Sequence, residues 1–205
     1  MHTVVLASGN RGKLAELRAL FSELGLDLIA QADRGVGDAE ETGLTFVENA
    51  LIKARHAARA TGLPALADDS GLCVDALGGA PGLHSARYAG RHGDDAANNA
   101  RLLAELHDLP DAGRSAYFYC CLVLLRHAAD PSPLIAEGRW YGRVLHQPRG
   151  EGGFGYDPLF QPLGLAISAA ELDAGDKNRL SHRGQVAAAL RECLQQEQRR
   201  RGTAS

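Results

Sequence analysis

The chain has 205 residues, with 22 lysines and arginines against 25 aspartates and glutamates, and its formal net charge is -3. That length suits one large domain or two closely packed lobes, and it allows the chain to bury about 70% of the surface that its unfolded form exposes. The lack of a basic excess argues against a domain that binds the phosphate backbone of nucleic acid, so we expect no nucleic-acid partner.

The four cysteines form no CxxC pair, which favours a reducing, cytoplasmic setting. The N-terminal sequence MHTVVLASGN lacks the positive charge and the long apolar run of a signal peptide. No stretch approaches the roughly 20 apolar residues of a membrane helix. We therefore expect a cytoplasmic protein with no membrane partner.

The N-terminal part of the chain predicts a strand, a turn and two helices. Residues 3–7 are apolar and rich in β-branched side chains, residues 8–13 are turn-prone, and leucines recur at helical spacing over residues 14–24. A capping box at residues 45–48 predicts the start of a second helix, and Gly62 predicts its end.

The middle of the chain predicts further strands. Residues 65–67 have the pattern of a brief buried strand that runs into Asp68 and Asp69. Ala116 to Leu125 is apolar through most of its length, as a strand covered on both faces would be. Leu134 to Leu145 is its predicted antiparallel partner across a turn-rich segment.

The C-terminal part predicts one more helix, from about residue 183 to residue 199, followed by a disordered tail over residues 200–205. Helices that alternate with strands, with an antiparallel pair among them, predict an α/β fold with a mixed central sheet flanked by helices. We interpret residues 1–205 as a single domain whose middle section forms a second lobe.

The first segment that could carry chemistry comprises Ser8, Gly9, Asn10, Arg11, Gly12 and Lys13. A glycine-rich turn between a strand and a helix presents backbone N–H groups and the positive helix end to a phosphate, and Lys13 adds a full charge. The segment is not a Walker A loop, because Leu14 stands where that motif needs a hydroxyl for magnesium. Taken alone, an ordinary turn explains the segment equally well.

The second candidate is a set of four carboxylates, namely Glu40, Glu41, Asp68 and Asp69. Magnesium prefers oxygen ligands and usually takes one or two protein carboxylates, with water and phosphate oxygens in its other positions. Asp68 and Asp69 follow an apolar strand, where one could ligate the metal while the other orients water. Glu40 and Glu41, taken alone, have the pattern of a solvated surface pair.

Further residues could bind a substrate: Lys53, Phe154, Gly155, Tyr156, Asp157, Lys177, Ser181, His182 and Arg183. The loop that carries Phe154 combines an aromatic ring with a carboxylate, which suits stacking on a base, although Tyr156 itself has the pattern of a buried anchor. Donors just before the last helix suit anions or carbonyl oxygens. Lys53 could reach a phosphate, but a lone lysine on a helix is more often solvated.

Five blocks occur in order: SxNxxK (Ser8, Asn10, Lys13), EETGxTFxENA (Glu40 to Ala50), ADDSGLxVDALGGAPGxxSARYAG (Ala67 to Gly90), GGFGYDPxF (Gly152 to Phe160) and SHRG (Ser181 to Gly184). Together they resemble the bacterial inosine and xanthosine triphosphate pyrophosphatase family, from Val4 to about Leu190. The resemblance implies a two-lobed α/β fold around a substrate cleft, a homodimer, Mg²⁺ dependence, and hydrolysis of ITP, dITP and XTP to the monophosphate and pyrophosphate.

The resemblance also implies roles for individual residues. The N-terminal turn, together with Lys53 and Lys177, would hold the triphosphate. Metal ligands would be Asp69 and either Glu40 or Glu41, with Asp69 also the general base that activates the attacking water. Ser70 would contact the substrate.

At the nucleoside end, the same resemblance implies contacts from residues 154–157 and from His182 and Arg183. Hypoxanthine and xanthine carry a carbonyl at C6 where adenine carries an amino group. Donors from His182, Arg183 or adjacent backbone amides would pair with that carbonyl and would oppose the amino group of adenine.

Two other functions fit parts of the sequence. A Maf-type nucleotide pyrophosphatase, which acts on pyrimidine or modified nucleotides, has a similar opening motif, but the FGYDP and SHRG blocks argue against it. A non-catalytic nucleotide-binding sensor would keep the lysines and glycines and lack the carboxylates, which are present here.

Overall fold

The computed structural model describes residues 2–22 and 26–202. The chain divides into two compact units. Unit 1 comprises Met1–Asp69, Cys120–Gly138 and Arg183–Ser205, and unit 2 comprises Ser70–Tyr119 and Arg139–His182. Among the described helices, none is both long and apolar enough to cross a membrane.

Besides short 3-10 turns, the described elements are eleven α-helices and strands, in chain order β1 (His2–Leu6), α1 (Arg11–Phe21), β2 (Leu26–Ala30), α2 (Phe46–Thr61), β3 (Ala65–Val74), α3 (Asp95–Glu105), β4 (Ser115–Leu125), β5 (Leu134–Val144), β6 (Phe160–Pro162), α4 (Ala174–Leu180) and α5 (His182–Gly202). The strands form one sheet in the order β2-β1-β3-β4-β5-β6. β1 is parallel to β2 and β3, whereas β5 and β6 are antiparallel. The predicted α/β fold with a mixed sheet is therefore confirmed.

The first two helices begin where their capping residues predict. Asn10 caps α1, and its side chain accepts a hydrogen bond from the backbone N–H of Lys13 at 3.0 Å. Thr45 caps α2 and accepts from the N–H of Glu48 at 3.3 Å. At the other end of α2, Gly62 has a φ of 69°, a left-handed conformation that glycine adopts without steric cost.

The prediction that the strand beginning at residue 65 ends before Asp68 is wrong, because β3 continues to Val74. Both aspartates therefore lie inside a buried strand. Gly71 allows the chain to stay extended next to a neighbouring segment, since a Cβ atom at this position would lie only 2.3 Å from the carbonyl oxygen of Gly82. The sequence pattern of the strand could not show that Lys13 and Lys53, which lie on other elements, neutralise the buried charges of Asp68 and Asp69.

Near the C-terminus, one helix was not predicted and one prediction needs correction. Lys177 lies in a short helix, α4, which the sequence did not predict and which Asp173 caps. The last helix begins at His182, within one residue of the predicted start, and continues through Gly202 instead of giving way to a tail at residue 200. Residues 203–205 of the predicted tail, and Leu24 of the predicted first helix, lie outside the described residues.

Each unit has an apolar core of its own. In unit 1, Leu17 and Phe21 of α1 pack with Leu66 of β3, Leu122 of β4 and Leu190 of α5. Each fully buried side chain of this kind contributes about 1.5–3 kcal/mol to folding. These contacts hold α1 and α5 against the strands of unit 1, and they place the N-terminus of each helix near β3.

The core of unit 2 is rich in aromatic rings. The ring of Phe160 lies 4.7 Å from that of Phe118 and 5.3 Å from that of Trp140, measured between centroids. Leu102 of α3 belongs to the same cluster. Strands β4, β5 and β6 and helix α3 all contribute to this core. Tyr156, from the loop at residues 150–157, packs in the same core.

Candidate functional site

The candidate site in unit 1 is built around the pair of adjacent aspartates in β3. Asp68 is 1% exposed and Asp69 is 7% exposed. Successive side chains of a strand point to opposite faces, so the two carboxylates meet different partners. The Oδ1 atom of Asp68 lies 3.0 Å from Lys13 Nζ, and the Oδ1 atom of Asp69 lies 2.7 Å from Lys53 Nζ.

Asp68 is surrounded by cations from two helices. Besides Lys13 of α1, the Nε atom of Arg183 in α5 donates to Asp68 Oδ2 at 3.3 Å. Burial opposes ionisation of this carboxyl group, but the charges of Lys13, Arg183 and Lys53 outweigh it and hold the pKa of Asp68 well below its usual range. Asp68 is therefore a permanent anion that anchors Lys13 and Arg183.

Asp69 has a different electrostatic environment. Burial raises its pKa above the ordinary value, and the attraction of Lys53 and Lys13 only partly offsets this effect. Neighbouring carboxyl groups whose pKa values are shifted in opposite directions are typical of sites where one acts as a proton acceptor and the other as a fixed charge. In that respect Asp69 is the better base of the pair.

Lys53 joins Asp69 to the segment before α2. Its Nζ atom also donates to Glu41 Oε1 at 2.8 Å. Burial lowers the pKa of Lys53, but the charges of Asp69, Asp68 and Glu41 outweigh it, so the net shift is upward and the ammonium stays charged. The predicted alternative of a solvated helix lysine does not apply, because its side chain is only 13% exposed.

The predicted metal ligands separate in the structure. Glu41 and Asp69 converge on one ammonium group, whereas Glu40 is exposed. Two converging carboxylates fit the one or two that magnesium usually takes from a protein. No cluster of three or more His, Cys, Asp or Glu side chains that could hold a metal occurs in the part of the chain that the structure describes.

The N-terminal turn forms the start of α1. The Oγ atom of Ser8 accepts from the N–H of Asn10 at 3.3 Å, and Asn10 in turn caps Lys13. A Cβ atom at Gly9 would lie 2.8 Å from a carboxylate oxygen of Asp38, so a larger residue there would displace that carboxylate. Gly12 lies in the first helical turn with Arg11, whose side chain lies outside the described part. The turn thus forms the capped start of α1, and the N-terminus of a helix is favourable for an anion.

Unit 2 contains the second group of predicted residues. Lys177 Nζ lies 2.7 Å from Asp157 Oδ2 and 4.8 Å from the centre of the Phe154 ring. The same carboxylate oxygen accepts from the N–H of Phe154 at 2.8 Å. Gly153 makes this arrangement possible, because a Cβ atom there would meet Asp157 Oδ2 at 2.2 Å. In this structure Lys177 therefore lies with the aromatic loop.

Tyr156 is the buried anchor that the sequence predicts. It is 4% exposed, and its hydroxyl donates to the carbonyl oxygen of Ser85 at 2.9 Å. Ser70, the first residue of unit 2, is half-buried in β3 directly after Asp69. Ser181 is buried and is the C-cap residue of α4.

His182 and Arg183 are consecutive but lie in different environments. In unit 2, the buried imidazole of His182 stacks on the ring of Phe118, with 4.8 Å between centroids and 8° between planes. In unit 1, Arg183 donates to Asp68 and, through its Nη1 atom, to Glu16 Oε2 at 2.9 Å. The structure thus places Arg183 among the carboxylates of unit 1.

Two residues near Asp68 were not predicted. Glu16 follows Lys13 by three residues on α1, so the helical period places both on one face and could have identified it. Cys120 of β4 has its Sγ atom 3.9 Å from Asp68 Oδ2. Burial raises the pKa of this thiol well above its usual value, so it remains protonated and acts as a weak donor.

The fold and the site define an α/β protein in which lysines and an arginine surround two buried, adjacent aspartates. The chain belongs to the Ham1 family, whose match covers residues 4–193. The resemblance found from the five sequence blocks is thereby confirmed.

Relatives and solved structures agree with this assignment. The chain is 61% identical to a dITP/XTP pyrophosphatase of Xanthomonas campestris pv. campestris, over 95% of this chain and 98% of that protein. It is 57% identical to a dITP/XTP pyrophosphatase of Shigella flexneri with the same coverage. The structure of a HAM1 protein from Coxiella burnetii matches with a TM-score of 0.88 and 50% identity, over 96% of this chain and 100% of that chain.

Proposed function

We propose that this chain hydrolyses non-standard purine nucleoside triphosphates, namely ITP, dITP and XTP, to the nucleoside monophosphate and pyrophosphate. Membership of the Ham1 family and the names of its close relatives support this function. The main structural observation behind it is that the two adjacent aspartates of β3 have different cationic partners. Asp68 binds Lys13 and Arg183, whereas Asp69 binds Lys53.

In the proposed mechanism, Lys13 and the backbone N–H groups at the start of α1 bind phosphate oxygens and offset the charge that develops during phosphoryl transfer. Asp68 holds the ammonium of Lys13 in place by their 3.0 Å ion pair. Asp69 accepts the proton of the water that attacks the α-phosphorus, and pyrophosphate leaves. Lys53 orients Asp69 and remains charged throughout.

We propose magnesium as the cofactor, held by Glu41 and Asp69. A bound magnesium ion would neutralise charge on the phosphate oxygens, as it does in other phosphoryl transfers. Glu40 is the weaker candidate because it is exposed, whereas Glu41 shares the ammonium of Lys53 with Asp69.

The nucleoside end is proposed to lie on the loop that carries Phe154. Its ring would stack on the purine, while Asp157 and Lys177 supply an acceptor and a donor beside it. A donor from His182 would meet the C6 carbonyl of hypoxanthine or xanthine. The amino group at C6 of adenine is itself a donor and could not pair with that donor. An unmatched buried polar group costs about 1–3 kcal/mol, which would disfavour ATP.

The test is to incubate the pure protein with magnesium and, separately, with ITP, dITP, XTP, UTP and ATP. Release of pyrophosphate from the first three, with little from UTP and ATP, is the expected result. A preference for UTP would instead indicate a Maf-type activity, and no release from any nucleotide would indicate a non-catalytic sensor.

We further propose that the protein is a cytoplasmic homodimer. The four cysteines are free, which is compatible with a reducing compartment. Light scattering coupled to gel filtration tests the dimer, and cell fractionation tests the location. A monomeric mass at micromolar protein concentration would contradict the proposed homodimer.

A further inference from the structure

The loop that carries Phe154 contains glycine at positions 150, 152, 153 and 155. Glycine has more backbone freedom than any other residue, so such a loop loses much entropy when it adopts one conformation. Gly155 itself has a φ of 62°, and nothing lies within 4 Å of a Cβ atom built there. Hydrogen bonds to the backbone of Gly155 therefore add to the anchor that the buried side chain of Tyr156 provides.

Two side chains of α3 provide such contacts. Asp95 Oδ2 accepts a hydrogen bond from the N–H of Gly155 at 2.7 Å, and Asn99 Nδ2 donates to the carbonyl oxygen of Gly155 at 2.9 Å. The two residues are four positions apart, so they project from the same face of the helix. Together they bind both backbone polar groups of a single loop residue.

The helix that supplies this clamp is itself firmly attached within unit 2. Asp94 caps it by accepting from the N–H of Ala97 at 3.1 Å. Asn98 accepts from the N–H of Ala89 at 2.7 Å, and Leu102 is completely buried in the aromatic core. The clamp therefore connects the glycine-rich loop to a helix that is anchored in the core of unit 2.

We propose that Asp95 and Asn99 are positioning residues for nucleobase binding, which hold Gly155 and thereby orient the ring of Phe154. This inference rests on the function proposed above, in which that ring stacks on the purine. The N–H that Asp95 binds belongs to the peptide joining Phe154 to Gly155. Rotation of that peptide would move Phe154, whose own N–H is bound to Asp157 at 2.8 Å.

Loss of the clamp should weaken nucleotide binding more than it slows the chemistry, because the catalytic aspartate and its lysine belong to unit 1. A nucleotide would have to select the correct loop conformation from several, which lowers apparent affinity by the fraction of the competent state. We expect the KM for ITP to rise roughly ten-fold in the double variant D95A/N99A, with kcat changed less than about two-fold.

The experiment compares D95A, N99A and D95A/N99A with the conservative variant D95N, which keeps an oxygen acceptor for the Gly155 N–H. The matched control is D94A, which weakens the same helix start without touching the loop. Steady-state kinetics with ITP are combined with hydrogen exchange, measured by mass spectrometry, of the peptide that covers residues 150–157.

Faster exchange of that peptide and a higher KM in D95A, both restored in D95N and both absent in D94A, would support the clamp. An equal rise in KM in D94A, or a fall in kcat at constant KM, would overturn it. If the wild-type protein does not hydrolyse ITP, the proposed function fails. The exchange measurement still decides the clamp, because equal exchange in D95A and D94A would refute it. If D95A/N99A does not fold, N99A alone supplies the comparison.

Discussion

The ammonium of Lys53 lies 2.7 Å from Asp69 Oδ1 and 2.8 Å from Glu41 Oε1, so one cation of α2 holds together two carboxylates from different parts of the chain. Neither carboxylate is adjacent to Lys53 in sequence. Through Lys53, Glu41 is therefore linked to Asp69, the proposed general base, whereas its neighbour Glu40 is exposed.

The first prediction concerns that base. Asp69→Asn keeps the size of the side chain and removes its ability to accept a proton, so kcat for ITP should fall about 100-fold or more. Far-ultraviolet circular dichroism should remain that of the wild type. Asp75→Asn, in the following turn, is the control and should retain normal turnover. A folded D69N variant with nearly normal kcat would remove Asp69 from the role.

The second prediction separates the two glutamates. Glu41→Gln should raise the magnesium concentration needed for half-maximal activity by about ten-fold or more, because it removes one of two converging carboxylates. Glu40→Gln should change that concentration less than about two-fold, since Glu40 is exposed. Activity is measured across a magnesium titration at saturating ITP. The reverse order of effects would assign the metal to Glu40.

The third prediction concerns the choice of base. His182→Phe keeps a ring that can stack on Phe118 and removes both ring nitrogens. If a nitrogen of His182 meets the C6 carbonyl, the ratio of kcat/KM for ITP to that for ATP should fall roughly five-fold or more. An unchanged ratio in a variant of normal thermal stability would show that the selecting donor lies elsewhere.

The fourth prediction is a dependence of stability on pH. Asp130, in the turn between β4 and β5, is buried and accepts hydrogen bonds from Arg126 Nε at 2.9 Å and from the N–H groups of Arg126 and Ser132, each at 3.0 Å. The Arg126 side chain and these N–H groups hold the pKa of Asp130 well below its ordinary value. The resulting stabilisation is therefore complete above the ordinary carboxyl pKa and is lost as the pH falls towards the lower, folded-state value.

Asp130→Asn should accordingly lower the free energy of unfolding by about 1–2 kcal/mol at pH 7. The difference from the wild type should shrink as the pH falls below about 4, because the carboxyl group of the unfolded wild-type chain then takes up a proton while that of the folded protein stays ionised. Urea denaturation of both proteins between pH 3 and pH 7 measures the destabilisation at pH 7 and its decrease at lower pH. Asp108→Asn serves as the control, since that side chain is 97% exposed. A difference that stays constant over the whole range would contradict this account.

Local signals in the sequence were sufficient for several elements. The cap at Thr45 and the stop at Gly62 bound α2 correctly, because both act on backbone groups within a few residues. The extent of β3 was missed for the opposite reason. An apolar strand was expected to end at a charged residue, but Asp68 and Asp69 stay in the strand because Lys13 and Lys53 neutralise them.

By itself, the sequence determined the α/β class, the family and the short list of polar residues around which the proposed chemistry is built, because each depends on local pattern or on ordered motifs. The tertiary structure alone decided which charges meet. It placed Arg183 on Asp68 and Glu16, and Lys177 on Asp157. Ion pairs between distant segments depend on how helices pack against strands. That packing cannot be predicted from the spacing or the composition of one sequence.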